Sequence, residues 1–367
     1  MESLKLKHEP VCIRDFEIFA KDFLPKAVFD YYASAANDEQ TISESTAAFK
    51  RLKLLPRVLR NVSAVDMSTS ILGEKIEVPF CIAPTGMQKL AHPDGELATA
   101  RASSRNDTCM TLSCWSLTRL EDVASGSDGL KWFQTDILGD RSIMASLIRR
   151  AEAAGYKAIV LTVDMPICGK RHTQIRYVFT GLPPIPNIKE AFDSKDMSEF
   201  GSGSVDKIHD RSATWDTIIP WVKSITSLPV VVKGILTAED AKLAVKCGVD
   251  GIIVSNHGGR QLDCVPATIE VLPSIVSAVG QDVEVYLDGG IRFGSDIFKA
   301  LALGAKAVFI GRPILWGLAY QGEEGVHRVL QIFKEELEIT MALCGCATLK
   351  DIVKDMVVRE SLYHSKL

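Results

Sequence analysis

The chain has 367 residues, of which 47% are hydrophobic and 24% charged, with a formal net charge of −4. That composition fits a soluble chain with ample core, and it leaves no basic surplus for nucleic acid or an anionic membrane surface. The nine cysteines are scattered without a C-x-x-C pair, which reads as reduced thiols in an intracellular compartment rather than a disulfide frame or a metal site. The first thirty residues carry no apolar h-region, so no secretory leader is expected, and no apolar run reaches membrane-spanning length.

Residues 1–60 read as a helical extension. Apolar residues recur at helical spacing over 11–23, and Pro25 opens a second helical segment, 26–36, that carries Tyr31. A regular rhythm follows. Short apolar runs at 79–86, 108–115, 131–137, 158–164, 229–235, 251–258, 284–290 and 307–313 alternate with amphipathic stretches such as 141–154, 238–247, 267–279 and 295–303. Eight strands alternating with helices close most economically as an α/β fold of the TIM type, a (β/α)8 barrel over 79–320. The competing open doubly wound sheet lacks support, because no G-x-G-x-x-G follows the first strand. One interval, 165–214, runs long after the fourth strand and is rich in Pro, Gly, Ser and Asp. Its place above the carboxyl ends of the strands predicts a lid. Residues 321–367 read as C-terminal helices and a tail ending in Ser365-Lys366-Leu367, a peroxisomal address read by an import receptor. The whole of 1–367 is expected to form one domain.

The strands share a second feature, a change of character at their carboxyl ends. There stand Thr85, Ser113, Gln134, Thr162 with Asp164, Lys233, His257, Asp288 with Arg292, and Gly311-Arg312. Burying one such residue costs free energy unless it is paired, so a full ring of them points to a site. Asp288-Gly-Gly290-Ile-Arg292 and Gly311-Arg312 combine close-approach glycines with fixed cations, at the position where barrels commonly hold phosphate. The hydroxyls and amide of Thr85, Ser113, Gln134 and Thr162 suit the polar edge of a flat heteroaromatic ring. Lys233 would stabilise an anionic form of that ring. The stretch 251–263, GIIVSNHGGRQLD, delivers His257 and Arg260 to a loop: a group that exchanges protons near neutral pH, and a guanidinium that grips a carboxylate. The set suggests a redox cofactor and a small hydroxy acid.

These residues resemble the FMN-dependent (S)-2-hydroxy-acid oxidase family, most closely on its peroxisomal glycolate oxidase (hydroxyacid oxidase) side. SNHGGRQLD at 255–263 is the most specific motif. LPRVLRNV (55–62), APTGMQKLAHPDGELATARA (83–102), LTVDMP (161–166), SLPVVVKGI (227–235), LDGGIRFGSD (287–296) and ALALGAKAVFIGRP (300–313) also match. The resemblance implies FMN as cofactor. It places Pro84, Thr85, Gly86, Ser113, Gln134 and Thr162 around the isoalloxazine and ribityl chain, and Lys233 at the N1/O2 edge. Asp288, Gly290, Arg292, Gly311 and Arg312 are implied around the phosphate. His257 would be the general base, oriented by Asp164. Arg171 and Arg260 would clamp the substrate carboxylate with help from Tyr31, and Trp115 would line the pocket. The implied reaction takes an (S)-2-hydroxy acid to the 2-oxo acid, with a hydride equivalent passing to the flavin and O2 returning as H2O2. It also implies a peroxisomal homotetramer, with no nucleic-acid or membrane partner.

Three positions depart from the family pattern. Asp136 stands where a substrate-binding tyrosine is usual, Ala35 where Gly is usual, and Gly86 where Ala is usual. A carboxylate at 136 should repel an anionic substrate by several kcal/mol at about 4 Å, unless it is protonated or paired with Arg171 or Arg260. The alternative reading is therefore a flavin-binding member with weak or altered oxidase activity. The Gly86 change is expected to be mild.

Overall fold

The structure is a computed structural model that describes residues 9–176, 184–189 and 206–361. Its centre is a closed barrel of eight parallel strands: β1 (Phe80–Ile82), β2 (Met110–Ser113), β3 (Lys131–Asp136), β4 (Ile159–Thr162), β5 (Val230–Ile235), β6 (Gly251–Val254), β7 (Glu284–Asp288) and β8 (Val308–Ile310). They follow one another in chain order. β8 closes on β1 by pairing Val308, Phe309 and Ile310 with Phe80, Cys81 and Ile82. Parallel strands are buried on both faces, which explains why these segments read as nearly continuous apolar runs. The predicted runs are longer than the strands because their last residues leave the ladder to face the barrel's mouth.

The pleat sorts the strand residues into two cores. Phe80, Leu112, Phe133, Leu161, Val232, Val254 and Leu287 face the surrounding helices. Cys81, Trp132, Val160, Val231, Ile253, Tyr286 and Phe309 fill the interior, where the Trp132, Tyr286 and Phe309 rings meet with centroids 5.6 Å apart. Each such buried side chain contributes about 1.5–3 kcal/mol over leaving it in water. A short hairpin not anticipated from the sequence, Thr69–Ile71 with Glu74–Ile76, presents Ile71 and Ile76 to this interior cluster. It closes one end of the barrel and leaves the carboxyl end of the strands as the open face.

Helices Arg141–Ala153, Ala238–Lys246, Thr268–Val279 and Gly294–Ala302 form within a residue of the predicted segments. The N-terminal extension consists of three helices, Ile13–Phe23, Lys26–Ala33 and Gln40–Lys50. The third rests against the loop after β6. Asp263 accepts hydrogen bonds from the backbone N–H of Thr41 (2.8 Å), Asp38 (3.1 Å) and Gln40 (3.4 Å), so it caps that helix start. The helix following β8, Arg312–Leu343, breaks at Gln321 and Gly322, whose φ is 57°. Strand Leu52–Leu54 pairs antiparallel with Val357–Arg359 and joins the two flanking regions.

Of the predicted lid, residues 177–183 and 190–205 lie outside the described residues, as does the Ser365–Leu367 tail. Within the described part, His172–Arg176 is helical. Among the described residues no helix is long and apolar enough to cross a membrane.

Candidate active site

Register decides which polar side chains meet. Ser113 pairs with Gln134, Asp136 with Thr162, and Thr162 with Lys233, so these residues form level rows at the open rim. Gln134 and Asp136 lie on the same face of β3 as Trp132, two and four residues earlier, and therefore point inward. Val160 and Val231 carry Thr162 and Lys233 inward in the same way. All of the anticipated residues except Asp164 line one cavity of about 360 Å³: Tyr31, Pro84, Thr85, Gly86, Ser113, Trp115, Gln134, Thr162, Arg171, Lys233, His257, Arg260, Asp288, Gly290, Arg292, Gly311 and Arg312. Asp164 sits behind His257, its Oδ1 2.8 Å from the imidazole Nδ1.

The loop carrying His257 is unusual in its backbone. His257, Gly258 and Gly259 all have positive φ, at 56°, 62° and 73°. A histidine in that region costs free energy, and the surrounding contacts must impose it. His257 N–H donates to Ser255 Oγ (3.1 Å), and the Gly259 carbonyl accepts from Ala36 N (2.8 Å). A Cβ on Gly259 would lie 2.9 Å from the backbone nitrogen of Ile42, so only glycine lets the third N-terminal helix pack here. With Nδ1 donating to Asp164, Nε2 of a neutral imidazole is the acceptor.

Lys233 is nearly inaccessible, at 5% exposure. Its ammonium lies 2.9 Å from Ser255 Oγ and 3.2 Å from Asp288 Oδ2. Burial pulls its pKa down, but the carboxylates of Asp288 and Asp164 outweigh this and hold it above the ordinary lysine value. It therefore remains a cation. The strand is irregular here, with a register shift between Lys233 and Ile235, and Gly234 at φ 118° leaves no room for a Cβ beside Asp164. That bulge brings lysine, aspartate and histidine together.

Four guanidinium groups line the cavity. Arg171 donates to Arg260 O (3.0 Å), Gln174 Oε1 (3.2 Å) and Gln261 Oε1 (3.1 Å). Arg260 donates to the carbonyls of Tyr31 (2.7 Å) and Ser34 (3.1 Å), and its Cζ lies 5.2 Å over the Tyr31 ring. Arg312 donates to Tyr32 O, Gly258 O and Ser34 O, and Arg292 to Ile291 O. All these acceptors are neutral. Burial, with Arg292 and Arg171 nearby, brings Arg312 down to about 10. Burial and Arg171 depress Arg260 well below its usual range. Clustered cations with neutral partners favour an anionic ligand, because an anion relieves both their burial and their mutual repulsion.

Asp136 corrects the sequence reading. It pairs with neither Arg171 nor Arg260. Its Oδ2 accepts from Trp115 Nε1 (2.6 Å) and lies 3.4 Å from His209 Nε2, and its Oδ1 accepts from Gln134 Nε2 (2.8 Å). Burial alone would raise its pKa, but His209 and Trp115 outweigh this and hold it below the ordinary carboxylate value. It is ionised rather than protonated. A Cβ at Gly86 would come within 2.8 Å of the Trp115 Cβ, so the glycine gives the Trp115 side chain room. His209, Gln261 and Ser255 were missed as site residues. Gln261 and Ser255 lie inside the 251–263 motif and could have been read from it, whereas nothing in the sequence around His209 marks it.

The cavity fits FMN on three observations. Half-buried cations, Arg292 and Arg312, cluster at the β7–β8 end, a buried acceptor, Asp288 Oδ1, has no hydrogen-bond partner, and a row of amide and hydroxyl groups faces Lys233. A family model described as FMN-dependent dehydrogenase matches residues 20–359. The chain is 51% identical over 368 residues to 2-hydroxyacid oxidase 1 of Homo sapiens, covering 97% of this chain and 99% of that protein. It is 49% identical over 358 residues to glycolate oxidase of Spinacia oleracea, covering 95% of each. A solved structure of mandelate oxidase with (S)-4-hydroxymandelic acid matches with a TM-score of 0.88 and 40% identity, covering 94% of this chain and 98% of that one.

Proposed function

The chain belongs to the FMN-dependent dehydrogenase family and is an FMN-dependent oxidoreductase, and from that premise we propose that it oxidises an (S)-2-hydroxy acid to the 2-oxo acid with O2 as final acceptor, giving H2O2. The observation that carries this reading is the convergence on one cavity of an oriented histidine, a buried lysine cation and a cluster of arginines bonded to neutral partners.

When bound, FMN supplies the two-electron acceptor. Arg292 and Arg312, with the backbone at Gly290 and Gly311, hold its phosphate. Asp288 is better suited to a ribityl hydroxyl than to the phosphate, since two anions repel and its Oδ1 is an acceptor in need of a donor. Thr85, Ser113, Gln134 and Thr162, with Pro84 and Gly86, border the ring, and Lys233 stabilises negative charge on it. Arg171 and Arg260, helped by Tyr31, hold the substrate carboxylate, and Trp115 borders the substrate. His257 Nε2 takes the hydroxyl proton, and Asp164 stabilises the imidazolium that forms. The oxidation of one acid consumes one O2 and releases one H2O2. Asp136 is bonded to Trp115 and Gln134 and stands apart from the arginines that would take the substrate carboxylate, and every other anticipated site residue lines the cavity or supports it, which favours an active oxidase over a weakly active flavin binder.

The C-terminal Ser365-Lys366-Leu367 supports import into peroxisomes by the receptor for that tripeptide, and family analogy supports a homotetramer. The decisive experiment is anaerobic mixing of the yellow protein with glycolate, lactate and longer 2-hydroxy acids. Bleaching at the flavin bands, reversed by O2 with stoichiometric peroxide, is expected. A colourless protein that takes up no FMN, or a yellow one that no 2-hydroxy acid bleaches, removes the reading. Deleting the tripeptide should leave a fluorescent fusion in the cytosol, and light scattering should report four chains.

A further inference from the structure

Asp136 lines the cavity alongside Trp115, Met165, Cys168 and Ile175, yet it is only 2% exposed. A carboxylate offers about four acceptor positions. Trp115 and His209 approach Oδ2 and Gln134 occupies one position on Oδ1, so Oδ1 of this cavity-lining residue retains an acceptor position. The carboxylate is backed by the His209 ring, whose Nε2 lies 3.4 Å from Oδ2. His209 has a fully buried side chain, and its backbone is fixed to the continuation of β3. His209 bridges Leu138, Gly139 N donates to Ile208 O (2.8 Å), and Asp210 N donates to Ile137 O (2.9 Å). Gly86 completes the arrangement, because its missing Cβ lets Trp115 sit where the indole N–H reaches Asp136. The arginine cluster is separate from this group, so the cavity has a cationic pole and an anionic pole.

We propose that Asp136, with His209 as its positioning residue, determines specificity by selecting 2-hydroxy acids that carry a hydrogen-bond donor, a hydroxyl, amide or ammonium, on the side chain beyond C2. The acid head goes to the arginines and the donor to Asp136. An alkyl tail leaves the carboxylate facing a group that cannot bond it, and a second carboxylate is repelled. The inference rests on the 2-hydroxy-acid reading above. Sites built to bond a substrate hydroxyl discriminate strongly against the analogue lacking it. With three positions on Asp136 already filled, a preference of about 10- to 100-fold is expected.

The test uses the full-length FMN-loaded protein and matched acids. Glycerate is compared with 2-hydroxybutanoate, 2,4-dihydroxybutanoate with 2-hydroxypentanoate, and β-malamate with malate. Each acid is scored by its perturbation of the flavin spectrum and by the rate of anaerobic bleaching. The ratio within a pair is independent of how much protein is folded or loaded. The expected result is a preference for the donor-bearing acid in at least one hydroxyl pair and for β-malamate over malate. Asp136→Leu should abolish or invert the hydroxyl preference, Asp136→Asn should shrink the malamate-to-malate ratio toward one, and His209→Gln should weaken both while flavin remains bound. If Asp136→Leu does not fold, the malamate ratio in Asp136→Asn decides. Equal use of both members of every pair, or preferences unchanged in the Asp136 variants, overturns the inference and leaves the oxidase reading intact. If no acid bleaches the flavin, the oxidase reading fails, and the spectral titrations still decide the tail preference. If none binds either, both fall.

Discussion

At the β7–β8 end of the cavity, Asp288, Gly289, Gly290 and Arg292 occur within five consecutive residues, and Gly311-Arg312 follow β8 directly. At the opposite end, Trp115, Asp136 and His209 come from three segments and meet only because the barrel closes. The first end is local: glycine backbone and strand-end cations lie where the strand delivers them. The second is assembled over long sequence separations, and each member depends on contacts made by the others. Substitutions should accordingly act on a single function at the first end and propagate at the second.

The largest expected effect lies between the two ends. His257→Ala should lower the rate of flavin reduction by about 10²–10⁴-fold while FMN stays bound, because it removes the base but none of the phosphate contacts. Stopped-flow absorbance measures this, and undiminished reduction would take His257 out of the base role. Next, Gly290→Ala breaks the local end. A Cβ there would lie 2.1 Å from the Ser45 carbonyl oxygen at a residue with φ 81°, so FMN affinity should fall at least about tenfold. Unchanged FMN titration would mean that the cradle tolerates a shift. Arg260→Lys keeps the charge but loses the fork, and KM for the acid should rise about tenfold with FMN affinity unaltered.

Smaller effects sharpen the contrast through stability. Asp263→Ala should cost about 1–2 kcal/mol, seen as a lower Tm, since three backbone N–H groups at the start of helix Gln40–Lys50 lose their acceptor. A wild-type Tm in this variant would show that water replaces the cap at no cost. Asp136 gives the smallest effect and a pH signature. Its folded pKa lies below the unfolded value, so its ionisation stabilises the fold above about pH 4 and that contribution is lost as pH falls through the folded pKa. The stability difference between wild type and Asp136→Asn should therefore shrink on acidification from pH 6 toward pH 3. A difference independent of pH would show that Asp136 is not held ionised.

What the sequence determined by itself was the architecture and the inward-facing rows. A β-strand alternates faces every residue, so an apolar run ending in Gln134-x-Asp136 or Val231-x-Lys233 already states which side chains share the barrel's interior. Residues adjacent in the chain, such as His257 with Arg260 and Gly311 with Arg312, were legible for the same reason. Only the tertiary structure decided the partners. Asp136 finds His209 rather than an arginine, Asp288 finds Lys233, Asp263 caps a helix more than two hundred residues earlier, and Gly86 makes room for Trp115. Those pairings depend on strand register, on a bulge at Gly234 and on loop segments brought back over the barrel, and a linear periodicity carries no information about distances across a closed sheet.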